Sequence, residues 1–285
     1  MPAIALPSAA SAATITGSDR GERLLGTSQP DVISALAGRD RVMGRAGDDQ
    51  IDGGAGADVL RGNLGNDTIF GGLGADLITG NGGDDVLDGG LGRDAVFGGP
   101  GNDTIRGGDV GPGAGASAAH RGFRPRGWFW FGGDRLHGGK GNDTISGGNG
   151  RDFISGGFDD DTITGGAGAD RIMANQGVDT VDGGDGNDDL WALSRKDVTG
   201  PGDPVGDTLI GGAGNDTFHT YDGEVDKITC GDGDDRVIAD VYDVITDATP
   251  ENPNGSCERV TRTVPESDSQ ESATEAPSED GAEHV

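Results

Sequence analysis

Aspartate returns at the sixth place of a nine-residue unit, at Asp49, Asp58, Asp67, Asp76, Asp85, Asp94 and Asp103, and again at Asp143, Asp152, Asp161, Asp170, Asp188 and Asp216. One carboxylate on a turn is ordinary. Carboxylates at a fixed interval, nearly all two residues after a glycine, form a lattice of hard oxygen donors. Such donors suit acid–base work when a second titratable group stands close, or a hard divalent cation when carbonyl oxygens join them. The chain offers little for the first. Its four histidines, His120, His137, His219 and His284, are scattered, and none pairs with a cysteine at metal spacing. There is no HExxH and no GxSxG, and 139–142 (GKGN) lacks the other residues of a phosphate loop. The nearest approach to an EF-hand, from Asp185, has Leu190 where glycine belongs and Lys196 where glutamate belongs. No catalytic constellation emerges.

The elements that must position these aspartates are short. Written in nines from Gly17, the chain gives GGAGADVLR, GNLGNDTIF, GGLGADLIT and their kin, resuming after an interruption as GGKGNDTIS at 138. The sixth place is acidic in the first ten units, beginning with Glu22, Asp31 and Asp40, and the eighth is aliphatic throughout them. Twenty-two units fit between Gly17 and Ile238 with one long loop and two single-residue slips. Glycine at the first, second and fourth places supplies positive φ and close backbone approach. The last three residues alternate polar, aliphatic, polar, a very short strand with one side chain inward. Two units then make one flattened coil of eighteen residues. Stacked coils give two parallel sheets with the aliphatics between them, an all-β solenoid about 50 Å long.

Stacking aligns the carboxylates, Asp67 under Asp85 under Asp103. Unit charges about 5 Å apart repel by roughly 1 kcal/mol in water and by several at intermediate dielectric. Calcium resolves this, because it takes six to eight oxygens and accepts carboxylates and backbone carbonyls alike. Binding then contributes folding free energy.

The G-G-x-G-x-D-x-(aliphatic)-x unit resembles the haemolysin-type, or RTX, calcium-binding repeat. The likeness covers residues 17–246 and is most specific at 44–106 and 138–173. It implies a right-handed parallel β-roll with several calcium ions held in the turns between neighbouring coils, and a ligand role for the thirteen aspartates named above. The first three units lack the glycine pair and read as a metal-poor cap. Asp159 replaces a fourth-place glycine, and Ala174 and Asn175 replace a glycine pair, so the likeness implies weaker calcium sites there.

Composition sets the remaining bounds. The 285 residues include 58 glycines and 50 acids against 21 bases, a net charge of −29. That surface argues against nucleic acid and against anionic membranes as partners, and no apolar run is long enough to span a bilayer. Residues 1–16 resemble the later part of a secretory signal without its basic start, which points to a secreted or cell-surface protein. Cys230 and Cys257 would be free thiols in a cytosolic protein and a single disulfide in a secreted one. From Cys230 the chain resembles a terminal module of secreted actinobacterial repeat proteins, with 247–262 as a disulfide-linked cap. Residues 263–285, acidic with no Lys or Arg, read as a disordered tail.

Between 107 and 137 one unit swells by 22 residues and carries Arg121, Arg124, Arg126, Trp128 and Trp130. These are either a cover for the roll's side or an adhesive loop for an extracellular glycan or envelope component. The leading expectation is a secreted, non-enzymatic calcium-binding protein with a structural or adhesive role. A polysaccharide-binding or accessory module of an extracellular polysaccharide-modifying enzyme is the alternative. Ice binding is disfavoured, since the fifth-place residues (Asp48, Asn66, Asp84, Asn102 on one stack; Ala57, Ala75, Arg93 on the other) form no threonine array.

Overall fold

The computed structural model describes residues 11–109, 133–192, 206–249 and 252–263. They form two parallel sheets, each with a continuous path of twelve strands in which every strand pairs with the one two units away. Ile69 pairs with Ile51 and Leu87 in one sheet, and Ile78 pairs with Leu60 and Val96 in the other. No helix occurs among the described residues. This is a parallel β-roll, with the expected eighteen-residue register.

The core follows from the eighth-place residue. Ile33, Ile51, Ile69, Leu87 and Ile105 from one sheet face Val42, Leu60, Ile78 and Val96 from the other, all at 0–1% exposure. Each such side chain contributes about 1.5–3 kcal/mol on burial, and a core one residue wide can be extended indefinitely by adding coils. Phe218 takes the same place near the C-terminal end.

The strands are longer than the three residues that alternation predicts. Leu77–Gly82 and Thr144–Asn149 run through the first three places of the next unit, where Asn81 still pairs with Asn63 and Gly148 with Gly108. The ladder turns the corner because the second place lies at positive φ, as at Gly72 (φ 102°). Where glycine is absent there, residues that tolerate the left-handed region mostly stand in: Asn63, Asn81 and Asn175 have φ of 85°, 79° and 77°. Replacement of the glycine pair by Ala174 and Asn175 therefore leaves the turn intact.

The count of twenty-two units includes the ten residues 192–201, of which 193–201 lie outside the described residues, and the ladder does not wait for them. Thr180 and Val181 pair directly with Thr208 and Leu209, so this stretch is an insertion and the ladder closes across it. The long insertion behaves alike, since Val96 pairs with Leu136 and Ile105 with Ile145 across it. At the C-terminal end Arg259–Thr263 pairs with Arg236–Asp240 as the last strand of its sheet. Cys230 and Cys257 form a disulfide with a Cα–Cα distance of 5.3 Å, tying that last coil to the one before it.

Candidate metal centre

The thirteen aspartates fall into two columns, one along each turn edge. Asp49, Asp67, Asp85, Asp103, Asp143 and Asp161 stand on the first, and Asp58, Asp76, Asp94, Asp152, Asp170, Asp188 and Asp216 on the second. All are buried. Each column is held by a one-way ladder in which the backbone N–H of one aspartate donates to Oδ1 of the aspartate one coil later. Asp67 donates to Asp85, Asp85 to Asp103 and Asp103 to Asp143, at 2.7, 2.8 and 2.6 Å. On the other edge Asp58 donates to Asp76 and Asp76 to Asp94, both at 2.8 Å.

One oxygen is thus occupied and the other is not. In all thirteen, Oδ2 is buried and has no hydrogen-bond partner. A buried, unpaired carboxylate oxygen costs free energy in proportion to its charge, and thirteen in register cannot be an accident of packing. First-place glycine makes room for them, as a Cβ on Gly62 would lie 2.0 Å from Oδ2 of Asp67.

The electrostatics agree. Burial pushes Asp67, Asp85, Asp103, Asp143 and Asp170 up to about 7 and Asp161 to about 8. The same cause lifts Asp49, Asp76, Asp94, Asp188 and Asp216 to about 6, and raises Asp58 and Asp152. The ladder N–H pulls each back, and for most of them neighbouring carboxylates push up again. A carboxylate in this state needs either a proton or a cation.

Among the described residues no three acidic, imidazole or thiolate side chains converge as a metal cluster. A cation on this edge must therefore complete its shell with main-chain carbonyls. The turns supply them in columns of their own. The carbonyl oxygen of Gly56 lies 1.4 Å from where a Cβ on Gly74 would be, and that of Gly74 lies equally close to a Cβ on Gly92. Only glycine permits that approach. Carboxylate and carbonyl oxygens with no nitrogen or sulfur donor are a hard-cation set, which fits calcium.

The columns are longer than the thirteen residues. Asp134 takes its place between Asp94 and Asp152, accepting the N–H of Asp94 at 2.7 Å. The 22-residue insertion hides this residue from the nine-residue count, although Asp-x-Leu marks it. Asp179, Asp207, Asp226 and Asp235 continue the ladder in units that lack the full glycine pair. Burial drives Asp207 and Asp226 well up, followed by the repulsion of Asp179 on the first and Asp222 on the second.

The first units differ. Both oxygens of Asp31 are satisfied, Oδ2 by the backbone N–H of Thr27 and Oδ1 by its hydroxyl and by the N–H of Ala13. Ser18 serves Glu22 in the same way through its N–H and hydroxyl, both at 2.8 Å. The second-place N–H, turned onto Oδ2 of Asp31, does there what a cation would do elsewhere, and the hydroxyl adds a bond to Oδ1. Burial pushes Asp31 up, but the bonds from Thr27 and Ala13 outweigh it and its carboxyl ends below the ordinary value. Arg121, Arg124, Arg126, Trp128 and Trp130 lie outside the described residues, as do residues 1–10 and 264–285.

A parallel roll whose turns carry two columns of half-satisfied carboxylates beside columns of carbonyls belongs to the class of cation-binding β-solenoids. The RTX calcium-binding nonapeptide repeat matches residues 16–109 in overlapping copies, then 131–163, 164–193 and 201–224. The chain belongs to that family and is a calcium-binding repeat protein. No curated protein matches it.

Proposed function

We propose that this protein is a secreted or cell-surface, non-enzymatic component whose roll folds when several calcium ions enter the turns, and that its role outside the cell is structural or adhesive. One observation carries the reading: thirteen buried aspartates in two registered columns, each with one oxygen bonded and the other unpartnered. Those aspartates are the ligands in this reading, with main-chain carbonyls completing each shell. Asp134 and Asp235 extend the set. In the low calcium of a cytoplasm the columns repel and the chain stays open. In the millimolar calcium outside a cell, mass action pulls it into the roll. The disulfide between Cys230 and Cys257 supports an oxidising destination. The residues matched to catalytic motifs above supply no acid–base or nucleophile pair.

The test is far-ultraviolet circular dichroism with calcium titrated from chelator to a few millimolar, alongside isothermal calorimetry for stoichiometry. A cooperative rise in strand signal with several ions bound, not reproduced by magnesium, is the expected result. A strand signal that persists in chelator would overturn the proposal that calcium drives folding.

A further inference from the structure

One concavity runs against the acidic character of the roll. It measures about 430 Å³, lies on the second turn edge and the adjoining sheet face, and is lined by Arg93, Arg151, Arg171 and Phe153 together with Asp152, Asp170 and Asp189. Arg93 and Arg151 occupy fifth places on that edge two rungs apart, with Gly133 between them; the register Ala95, Arg135, Phe153 fixes this order. Two rungs separate the arginines by about 10 Å along the roll. Gly133 places no side chain between them, and the close approach of the next rung requires glycine there, because a Cβ would meet the carbonyl of Arg151 at 1.8 Å.

The two arginines are not committed by direct contact, although the charge of Arg93 acts on Asp134 and that of Arg151 on Asp170. Neither makes a hydrogen bond or ion pair with the described residues, whereas Arg171 is committed to Asp189 through Nε at 2.9 Å and Nη2 at 2.7 Å. Asp189 is also held by His219 at 3.1 Å, and His219 stacks on Trp191 at 3.7 Å. That network makes one wall rigid and commits Asp189 to Arg171 and His219. The remaining acids at the groove, Asp152 and Asp170, belong to the buried column, with their oxygens turned to the ladder and the cation positions. The aromatic surface of Phe153 completes the lining, with Arg135 above its ring at 5.4 Å.

A ligand for this groove needs anionic groups spaced along its length and an apolar face for Phe153. Sugar rings have that face, and an extended saccharide advances about one rung per ring. The net charge of −29 opposes every polyanion alike, so the preference for a saccharide rests on the ring face at Phe153. We propose that the groove between Arg93 and Arg151 binds an acidic polysaccharide, with the guanidiniums on carboxylate or sulfate groups and a ring face on Phe153. This goes beyond the calcium reading and depends only on the roll being folded.

The test uses the full chain in calcium, with binding measured to a uronate oligosaccharide, a sulfated oligosaccharide, a neutral glucan and inorganic sulfate. Both acidic oligosaccharides should bind, the neutral one should not, and sulfate should compete only weakly. Arg93→Ala and Arg151→Ala should each weaken binding about tenfold, the loss of one charge-assisted contact, while Arg236→Ala on the same sheet changes nothing. Absence of binding to either acidic chain, equal binding of the neutral one, equal potency of sulfate, or full binding by the double arginine variant would each overturn the proposal. Circular dichroism of every sample reports the fold separately, so a roll that ignores calcium and a groove that ignores saccharide give different results.

Discussion

The first coil and the central block of this roll share a register and a core but solve the same electrostatic problem in opposite ways. In the first, Ser18 and Thr27 sit at the second place of their units and turn a hydroxyl and an N–H onto Glu22 and Asp31. In the second, that place is at positive φ and carries no hydroxyl, and Oδ2 of Asp67, Asp85 or Asp103 is left without a partner. One region carries its own neutralisation; the other leaves a position for a cation. The choice is made by a single residue per unit, through the sign of its φ.

The comparison can be broken at the backbone. Gly74→Ala places a Cβ 1.4 Å from the carbonyl of Gly56 at a φ of 145°, which should cost on the order of 3 kcal/mol or more. Gln29→Ala, at the matching fourth place of the second unit, should be nearly neutral. Thermal unfolding in calcium distinguishes them. If both are tolerated alike, the central turns are looser than their geometry implies.

Next in size is the carboxylate itself. Asp85→Ala removes an unpartnered oxygen and the acceptor for the N–H of Asp67; calorimetry should show fewer ions bound and the calcium midpoint should rise several-fold. Asp31→Ala should lower stability by about 1–2 kcal/mol through lost hydrogen bonds and leave the stoichiometry unchanged.

The pH response should differ in sign between the regions. Asp85 and Asp103 titrate near 7 and Asp161 near 8 in the roll, above their value in an open chain. The folded state then binds more protons, so the ion-free roll is most stable below about pH 4 and loses that stability as pH rises through 7 to 8. In chelator, acidification from pH 8 to 5 should increase the strand signal. Calcium reverses the trend, since protons compete for the same oxygens, and the calcium midpoint should rise as pH falls. Asp31, held below its ordinary value, contributes stability that is lost only as pH falls through its folded value. Backbone amide exchange at Ala13 and Thr27 against Asp67 and Asp85 reads the two signs separately.

The smallest expected effect is Thr27→Gly, which strips the hydroxyl from Asp31. It should cost about 1 kcal/mol without calcium and, if second-place chemistry decides cation demand, add one ion to the count. An unchanged count would mean that the backbone path, and not the hydroxyl, excludes the ion.

Much of this was legible in the sequence because a nine-residue period leaves little freedom. Once Ile69 and Leu87 are eighteen residues apart and both aliphatic, their pairing and the stacking of Asp67 beneath Asp85 follow. What failed to show were features that depend on space instead of chain distance. Asp134 rejoins the column although the insertion separates it from Asp103, because a rung is defined by its neighbours above and below. Residues 192–201 mimic one more unit in length, and yet Val181 pairs directly with Leu209 across them. Strand length was underestimated, since alternation cannot reveal that a glycine corner keeps its ladder bonds. The satisfied state of Asp31 was implicit in Thr27 four residues earlier, a spacing that is informative only when the φ of the second place is known.

The direction of the aspartate ladder gives the molecule a growing end. Each finished coil offers backbone N–H groups that only the carboxylates of the following coil can accept, while the new coil brings the matching donors for the next. A chain that emerges N-terminus first therefore meets a template of waiting donors at every step, and its newest coil keeps its own N–H groups open until the next coil arrives. The column closes at Glu258, which takes the N–H of Asp235 at 2.8 Å, so the reading frame of the stack ends where its last strand is pinned by a disulfide. The ladder has a direction and a built-in stop.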